Sequence, residues 1–313
     1  MLFCAIFEVG VTLSGNDYPK NHAIVSLAHP KPAKRCKHSV AGFFRKLNRH
    51  QQKGFSMQTD TLQLGSHTFT SRFILGSGKY SLELIDSAIT QAKAQIITLA
   101  LRRANPQGLE NILDFIPKHI TLLPNTSGAR NAQEALRIAR LAREICGAKL
   151  IKIEVIADSK YLLPNNYETT KAVELLANDG FTPLPYMSAD LYAARDMWNA
   201  GAAAIMPLAA PIGSNKGLCA KEFIQILLDE ITLPIIVDAG LGSPAQACEA
   251  MQMGAAAVMV NTAIAESSSI PTMARAFALA VEAGRAAYLA GLAPISAPKP
   301  SSPTADYLGF LRD

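Results

Sequence analysis

The sequence has no apolar run of the roughly 18 residues that a membrane-crossing helix needs, which excludes a membrane span. Its 49% hydrophobic and 18% charged content describes a globular chain with a large core. Cysteine is scarce: Cys4, Cys36, Cys146, Cys219 and Cys248 are scattered, with no CxxC and no His pair nearby. That excludes a disulfide framework and a zinc site and suits a reducing compartment. No GxGxxG follows the first strand-like run, which counts against a dinucleotide-binding sheet. Acids are sparse in one place. Residues 1–56 hold nine Lys/Arg against Glu8 and Asp17, a balance of +7, and the remainder sums to −2.

A nucleic-acid role would rest wholly on that extension. Lys31–Lys37 reads more simply as a solvated basic segment, and no nucleic-acid partner is expected. Met1–Leu13 is apolar but carries Glu8 and no basic leader, so it does not fit a secretory signal. Three readings stay open for residues 1–56: translation from an upstream start with Met57 as the true first residue, a disordered native extension, or an organellar transit segment. The expected division is this extension, a barrel over 57–293 and a tail over 294–313. The expected location is the cytoplasm, or an organellar stroma if the extension is a transit segment.

From Leu62 onward a rhythm sets in. Strand-like runs recur at Arg72–Leu75, Ile96–Leu101, Ile120–Leu123, Leu150–Ile156, Phe181–Leu184, Ala203–Leu208, Leu233–Val237 and Ala257–Val260. Helix-like segments alternate with them: Ser81–Lys93, Asn131–Ile145, Glu168–Leu176, Leu191–Trp198, Lys221–Leu228, Pro244–Met253 and Pro271–Leu289. The segment between Ala104 and Lys118 has the weakest helical pattern. Ser81, Ser188 and Ser243 suit N-caps, and Pro244 suits a first helical turn. Eight such units predict an α/β fold, a (β/α)8 TIM barrel, whose active site lies at the C-terminal ends of the strands.

Those ends are polar and rich in glycine. They include Gly76-Ser77-Gly78-Lys79, Arg102-Arg103, Pro124–Gly128, Pro211–Gly217, Asp238–Pro244 and Asn261-Thr262-Ala263. Glycines before a helix let backbone N–H groups close around an anion, and the loops after the seventh and eighth barrel strands often hold phosphate. Gly213, Ala239, Gly240, Asn261 and Thr262 are the expected cradle. Arg102 and Arg103 suit an acid or phosphate, or equally a rim salt bridge.

Leu150–Ile156 carries two charges in an apolar strand. Lys152 and Glu154 are spaced i and i+2 and share a face, while Ile151, Ile153 and Val155 take the other. On this strand alone an internal ion pair, a wet edge strand and a functional pair all stay open. Within a barrel the charged face looks inward. Desolvation is then expected to lower the Lys152 pKa toward a neutral amine able to attack a ketone, with Glu154 and Asp238 moving protons. A capping or lysine-pairing carboxylate remains the other reading of Asp238.

Several strings together resemble the thiazole synthase family of bacterial and plastid thiamine biosynthesis. They are Ser71–Tyr80, Leu122–Gly128, Ile151–Ile156, Leu163-Pro164 with Glu168-Thr169, and Leu184-Pro185-Tyr186, then Pro211–Ser214, Pro234–Pro244, Asn261–Ala265 and Met273–Gly291. The resemblance is collinear over about residues 57–293. It implies synthesis of a thiazole phosphate from 1-deoxy-D-xylulose 5-phosphate, dehydroglycine (2-iminoacetate) and sulfur from a thiocarboxylated sulfur-carrier protein. It puts the Schiff-base lysine at Lys152, the acid/base carboxylates at Glu154 and Asp238, and the substrate contacts at Gly213, Ala239-Gly240 and Asn261-Thr262. It also implies a homotetramer and no metal or organic cofactor, which fits the missing ligand clusters. Two departures stand out: Asn215 where the family tends to have glycine, and Ala209-Ala210 where glycine or serine tends to precede the proline. Asparagine tolerates left-handed backbone angles, so the turn is expected to survive. Two other readings of the same residues are another imine-forming sugar-phosphate barrel of the aldolase type and a non-catalytic sugar-phosphate-binding barrel.

Overall fold

The computed structural model describes residues 60–76, 81–100 and 113–295. The basic extension, Ser77-Gly78-Lys79, Arg102-Arg103, most of the weak helical segment and the chain from 296 onward lie outside them.

Among the described residues, eight short strands run parallel: β3 (Phe73–Leu75), β4 (Ile96–Leu99), β5 (Thr121–Pro124), β6 (Leu150–Ile153), β7 (Thr182–Met187), β8 (Met206–Pro207), β9 (Ile236–Val237) and β10 (Ala257–Val260). They form two ladders, β5-β4-β3-β10-β9 and β6-β7-β8. Single bridges join the ladders at both seams. Asn125 pairs with Lys152 and Ala129 with Val155 on one side, and Ile205 pairs with Ile235 and Leu208 with Asp238 on the other. The ring of neighbours therefore closes, as the strand count predicts for a (β/α)8 barrel.

Helices α1 (Leu82–Thr90), α2 (Ala132–Cys146), α3 (Asn166–Asn178), α4 (Leu191–Asn199), α5 (Lys221–Glu230) and α6 (Pro244–Gln252) alternate with the strands, and α7 (Thr262–Ala265) and α8 (Ile270–Ala290) follow β10. Ser81 caps α1 by accepting from the Leu84 N–H. Asn131 caps α2, which Gly147 ends in a left-handed conformation at φ +66°. Ser188 does not cap α4. Asp190 does, accepting from Ala193 N at 2.7 Å, because Ser188 is held by backbone bonds to the Asn166 amide.

Strand alternation sorts the core into two shells. Ile151, Ile153 and Val155 face outward against Ala172, Val173 and Leu176 of α3. Phe73, Leu75 and Val258 pack beneath the helices on the other side. Ile74, Ile96, Leu123, Leu150, Leu184, Met206 and Ile236 point inward and fill the barrel. The same inner core takes Leu62, Leu64 and Phe69. These come from an antiparallel hairpin, β1 (Leu62–Leu64) and β2 (His67–Phe69), which the sequence pattern does not announce. Its turn residue Gly65 has φ +57° and lies against Thr182, at the start of β7. The hairpin therefore stoppers the N-terminal end and leaves the C-terminal end for chemistry.

β7 runs on to Met187 although its sequence pattern stops at Leu184. Pro183 and Pro185 suggest a break, since neither can donate to a ladder. Both belong to the parity that faces β8. There the carbonyls of Pro183 and Met187 still accept from Ala203 N and Leu208 N, each at 2.9 Å. The strand survives by accepting where it cannot donate.

Candidate active site

Lys152 and Glu154 point into the barrel, as the alternation predicts, and Asp238 reaches the same point from the far seam. Lys152 Nζ lies 2.7 Å from Asp238 Oδ2 and 3.0 Å from Glu154 Oε1. The ammonium also donates to the Met259 sulfur, 3.4 Å away. The side chains of all three charged residues are at most 7% exposed. One cation therefore serves two buried carboxylates.

The charge state is a correction to the sequence reading. Burial does push the Lys152 ammonium down, but Asp238 and then Glu154 outweigh it and hold the amine above its ordinary range. Burial raises the Asp238 carboxyl, against the pull of Lys152. Desolvation alone suggests a free amine, whereas the geometry gives an ammonium that must first hand on a proton. Asp238, the nearer partner and the one whose pKa is raised, can receive it.

The neighbouring strand fixes Glu154. The Thr126 hydroxyl donates to the Glu154 carbonyl and accepts from the Glu154 N–H, both at 2.9 Å, across the sparse β5–β6 seam. Asn125 Nδ2 donates to Glu154 Oε1 at 3.3 Å. Asn125, Thr126 and Met259 were not among the expected site residues. The polar run Asn125-Thr126-Ser127 at a strand end was the visible signal for the first two, and Met259, inside an apolar strand, had none.

The expected cradle residues gather round one cavity. Gly213, Ala239, Gly240, Asn261 and Thr262 line it together with Lys152, Glu154 and Asp238. Asn215 adopts φ +50° and Ala239 φ +59°, so the left-handed turn expected at Asn215 is present. The loops after β8 and β9 interlock. Gly217 N donates to Gly240 O at 2.7 Å. A side chain on Gly240 or Gly242 would run into the Ala210 or Asn215 backbone respectively.

Gln246 completes this clasp. Its Oε1 accepts from Gly242 N at 2.7 Å and Ser243 N at 3.0 Å, and its amide abuts Gly217. Ser243 thus caps α6 as expected, in a capping box with Pro244 in the first turn. The box engages two amides that a helix-terminal phosphate would otherwise use. Asn261 Nδ2 donates to Gly76 O at 2.8 Å, tying the β10 end to the β3 end. Among the described residues no group of three His, Cys, Asp or Glu is placed to hold a metal, and no helix is long and apolar enough to cross a membrane.

The profile of the family described as "Thiazole biosynthesis protein ThiG" matches residues 63–303. The thiazole synthase of Campylobacter jejuni strain RM1221 is 76% identical over 257 residues, covering 82% of this chain and 98% of that protein. That of Clostridium beijerinckii is 66% identical over 257 residues, covering 82% and 100%. Among solved structures, the Amycolatopsis orientalis BexX/CysO complex offers a chain similar at a TM-score of 0.70 and 32% identity, covering 76% of this chain and 98% of that one. A mandelate oxidase variant shares the fold alone, with a TM-score of 0.54 and 14% identity over 74% of this chain and 78% of its own. The chain belongs to the thiazole synthase family and is an enzyme of thiamine biosynthesis.

Proposed function

We propose that this thiazole synthase builds its ring on an imine at Lys152. The substrates are 1-deoxy-D-xylulose 5-phosphate, dehydroglycine and the sulfur of a thiocarboxylated carrier protein. The observation that carries this reading is the buried Lys152 amine, 2.7 Å from one carboxylate and 3.0 Å from another, at the C-terminal end of the barrel.

Lys152 first passes a proton to Asp238. The free amine adds to the ketone carbon of the sugar phosphate. The carbonyl oxygen then leaves as water, taking the two remaining amine protons through the carboxylates, and a carbon–nitrogen double bond remains. The same carboxylates can shift a proton from the adjacent carbon and so move the double bond along the chain. Gly213, Ala239, Gly240, Asn261 and Thr262 hold the phosphate and sugar end. Since Gln246 engages the Gly242 and Ser243 amides that lead into α6, the phosphate sits on the clasped loops and not on that helix terminus. A protein sulfur donor is supported by a related chain that was solved in complex with a second protein, CysO. Assembly as a homotetramer belongs to the same reading.

Borohydride trapping tests it. The protein is incubated with 1-deoxy-D-xylulose 5-phosphate, reduced, digested and mapped by mass. The expected result is an adduct on the peptide holding Lys152 that is absent in Lys152→Ala. No adduct on any lysine, with phosphate binding intact, would overturn the imine.

A further inference from the structure

Tyr186 is among the largest fully buried side chains of the described residues. It lies on the inner face of β7, two residues beyond Leu184. Lys152 pairs with Leu184 and Ile153 with Pro185, so Tyr186 sits level with Glu154 on the neighbouring strand. Lys152 Nζ is 5.3 Å from the centre of its ring, within reach of a cation–π contact. The ring therefore has a clear use.

The hydroxyl does not. Among the described residues no group hydrogen-bonds to it, and its oxygen is buried. An unpaired buried hydroxyl is costly, and phenylalanine would fill the same space without that cost. Among the described residues, the charged groups that bear on it are Lys152 of β6, Glu154 just beyond that strand and Asp238 beyond β9. Burial, then Asp238, then Glu154 raise the phenol above its ordinary range, so it remains a proton-bearing donor. In the resting site the ammonium supplies the balancing positive charge, 2.7 Å from Asp238 Oδ2 and 3.0 Å from Glu154 Oε1, while Asp238 Oδ2 takes no hydrogen bond among the described residues. That supply ends whenever the lysine nitrogen gives up its protons.

We propose that Tyr186 is a positioning residue: its hydroxyl donates a hydrogen bond to the Lys152–Glu154–Asp238 cluster while the lysine nitrogen is uncharged. The proposal rests on the imine reading. No proton leaves the phenol, so the cluster keeps its total charge. The hydroxyl replaces a donor that the chemistry has removed and stabilises the carboxylates at that stage.

The test is Tyr186→Phe in the full chain, measured beside wild type. The readouts are thermal melting, half-saturation by 1-deoxy-D-xylulose 5-phosphate, and the maximal rate of borohydride-trappable adduct between pH 6 and pH 9. The melting temperature should equal or exceed that of wild type, with half-saturation unchanged. The trapping rate should fall about 10- to 100-fold, the worth of one hydrogen bond to a charged group. Its acid limb should move to higher pH, because a cluster without the phenol keeps the lysine proton more tightly. Full trapping rate with an unchanged profile would overturn the proposal. So would a lowered melting temperature, which would mean a structural partner for the hydroxyl, or a change confined to half-saturation. Absence of any adduct in wild type would sink the imine reading itself, and that outcome is read before the variant is compared.

Discussion

Removing the ammonium should destabilise the barrel in a way that depends on pH. In Lys152→Ala, Glu154 and Asp238 stay buried with no cation between them. At an effective dielectric of about 20, each contact at 2.7–3.0 Å carries a gross attraction of roughly 6 kcal/mol. Most of that offsets desolvation, and breaking a buried pair from one side costs about 3–5 kcal/mol net. For a domain of this size that is a fall of about 6–20 °C in melting temperature. The sign with pH follows from the carboxyl. Asp238 is already raised above 3.8 by burial, and losing Lys152 removes the pull that opposes the rise. The folded variant then holds a proton that the unfolded chain releases, so its stability is greatest in acid and declines as pH climbs from 3.8 through the raised value. Wild-type Lys152, held above its ordinary 10.5, keeps its contribution throughout that range. The deficit should be smallest in acid and grow as pH rises above 3.8, as read by thermal melts of both proteins across pH. Adding Glu154→Gln and Asp238→Asn to Lys152→Ala should recover more than half of it. A melt for Lys152→Ala within about 2 °C of wild type at pH 8 would refute the reasoning, since it would mean that the carboxylates need no cation.

Other expectations follow from named contacts. Gln246→Ala frees Gly242 N and Ser243 N and loosens the clasp on Gly217. Half-saturation by the sugar phosphate should rise about 5- to 10-fold, the worth of a hydrogen bond or so, with the maximal trapping rate held. An equal fall in maximal rate would show that the clasp positions more than the phosphate. Asp60 bonds to both Arg285 and Arg72, and these, Arg285 foremost, lower its carboxyl from 3.8 to about 2. Its stabilisation is complete above pH 3.8 and lost as pH falls through about 2. Asp60→Asn should therefore lower the urea midpoint at pH 6 and converge on wild type near pH 2. A gap that stays constant across that range would show that charge plays no part.

The site was legible where period and chemistry coincide. Alternation put Lys152 and Glu154 on one face, the count of strand–helix units turned that face inward, and the Asp238–Pro244 string marked the opposite strand end. Asn215 was readable because its side chain suits the left-handed angle it adopts. What the sequence hid is tertiary. Nothing local says that Asp238 stands 2.7 Å from Lys152, so burial alone gave the wrong sign for the amine. Tyr186 lay beyond an apparent strand end, since Pro183 and Pro185 mask a ladder that uses only their side's carbonyls. The hairpin stopper was too short for any period to show, and Ser188 is held by a distant Asn166 while Asp190 takes the cap.

The seams have a mechanical meaning. Lys152 and Glu154 belong to the three-stranded half of the barrel and Asp238 extends the five-stranded half, with single bridges where the halves meet. The Lys152–Asp238 bond is thus a strut between two shells joined along thin edges. Its length reports how the shells are seated, more than the rotamer of either side chain. A change in the Thr126 side chain, which grips the Glu154 backbone across one edge, is expected to reach the lysine through Glu154 as a change in how firmly it keeps its proton.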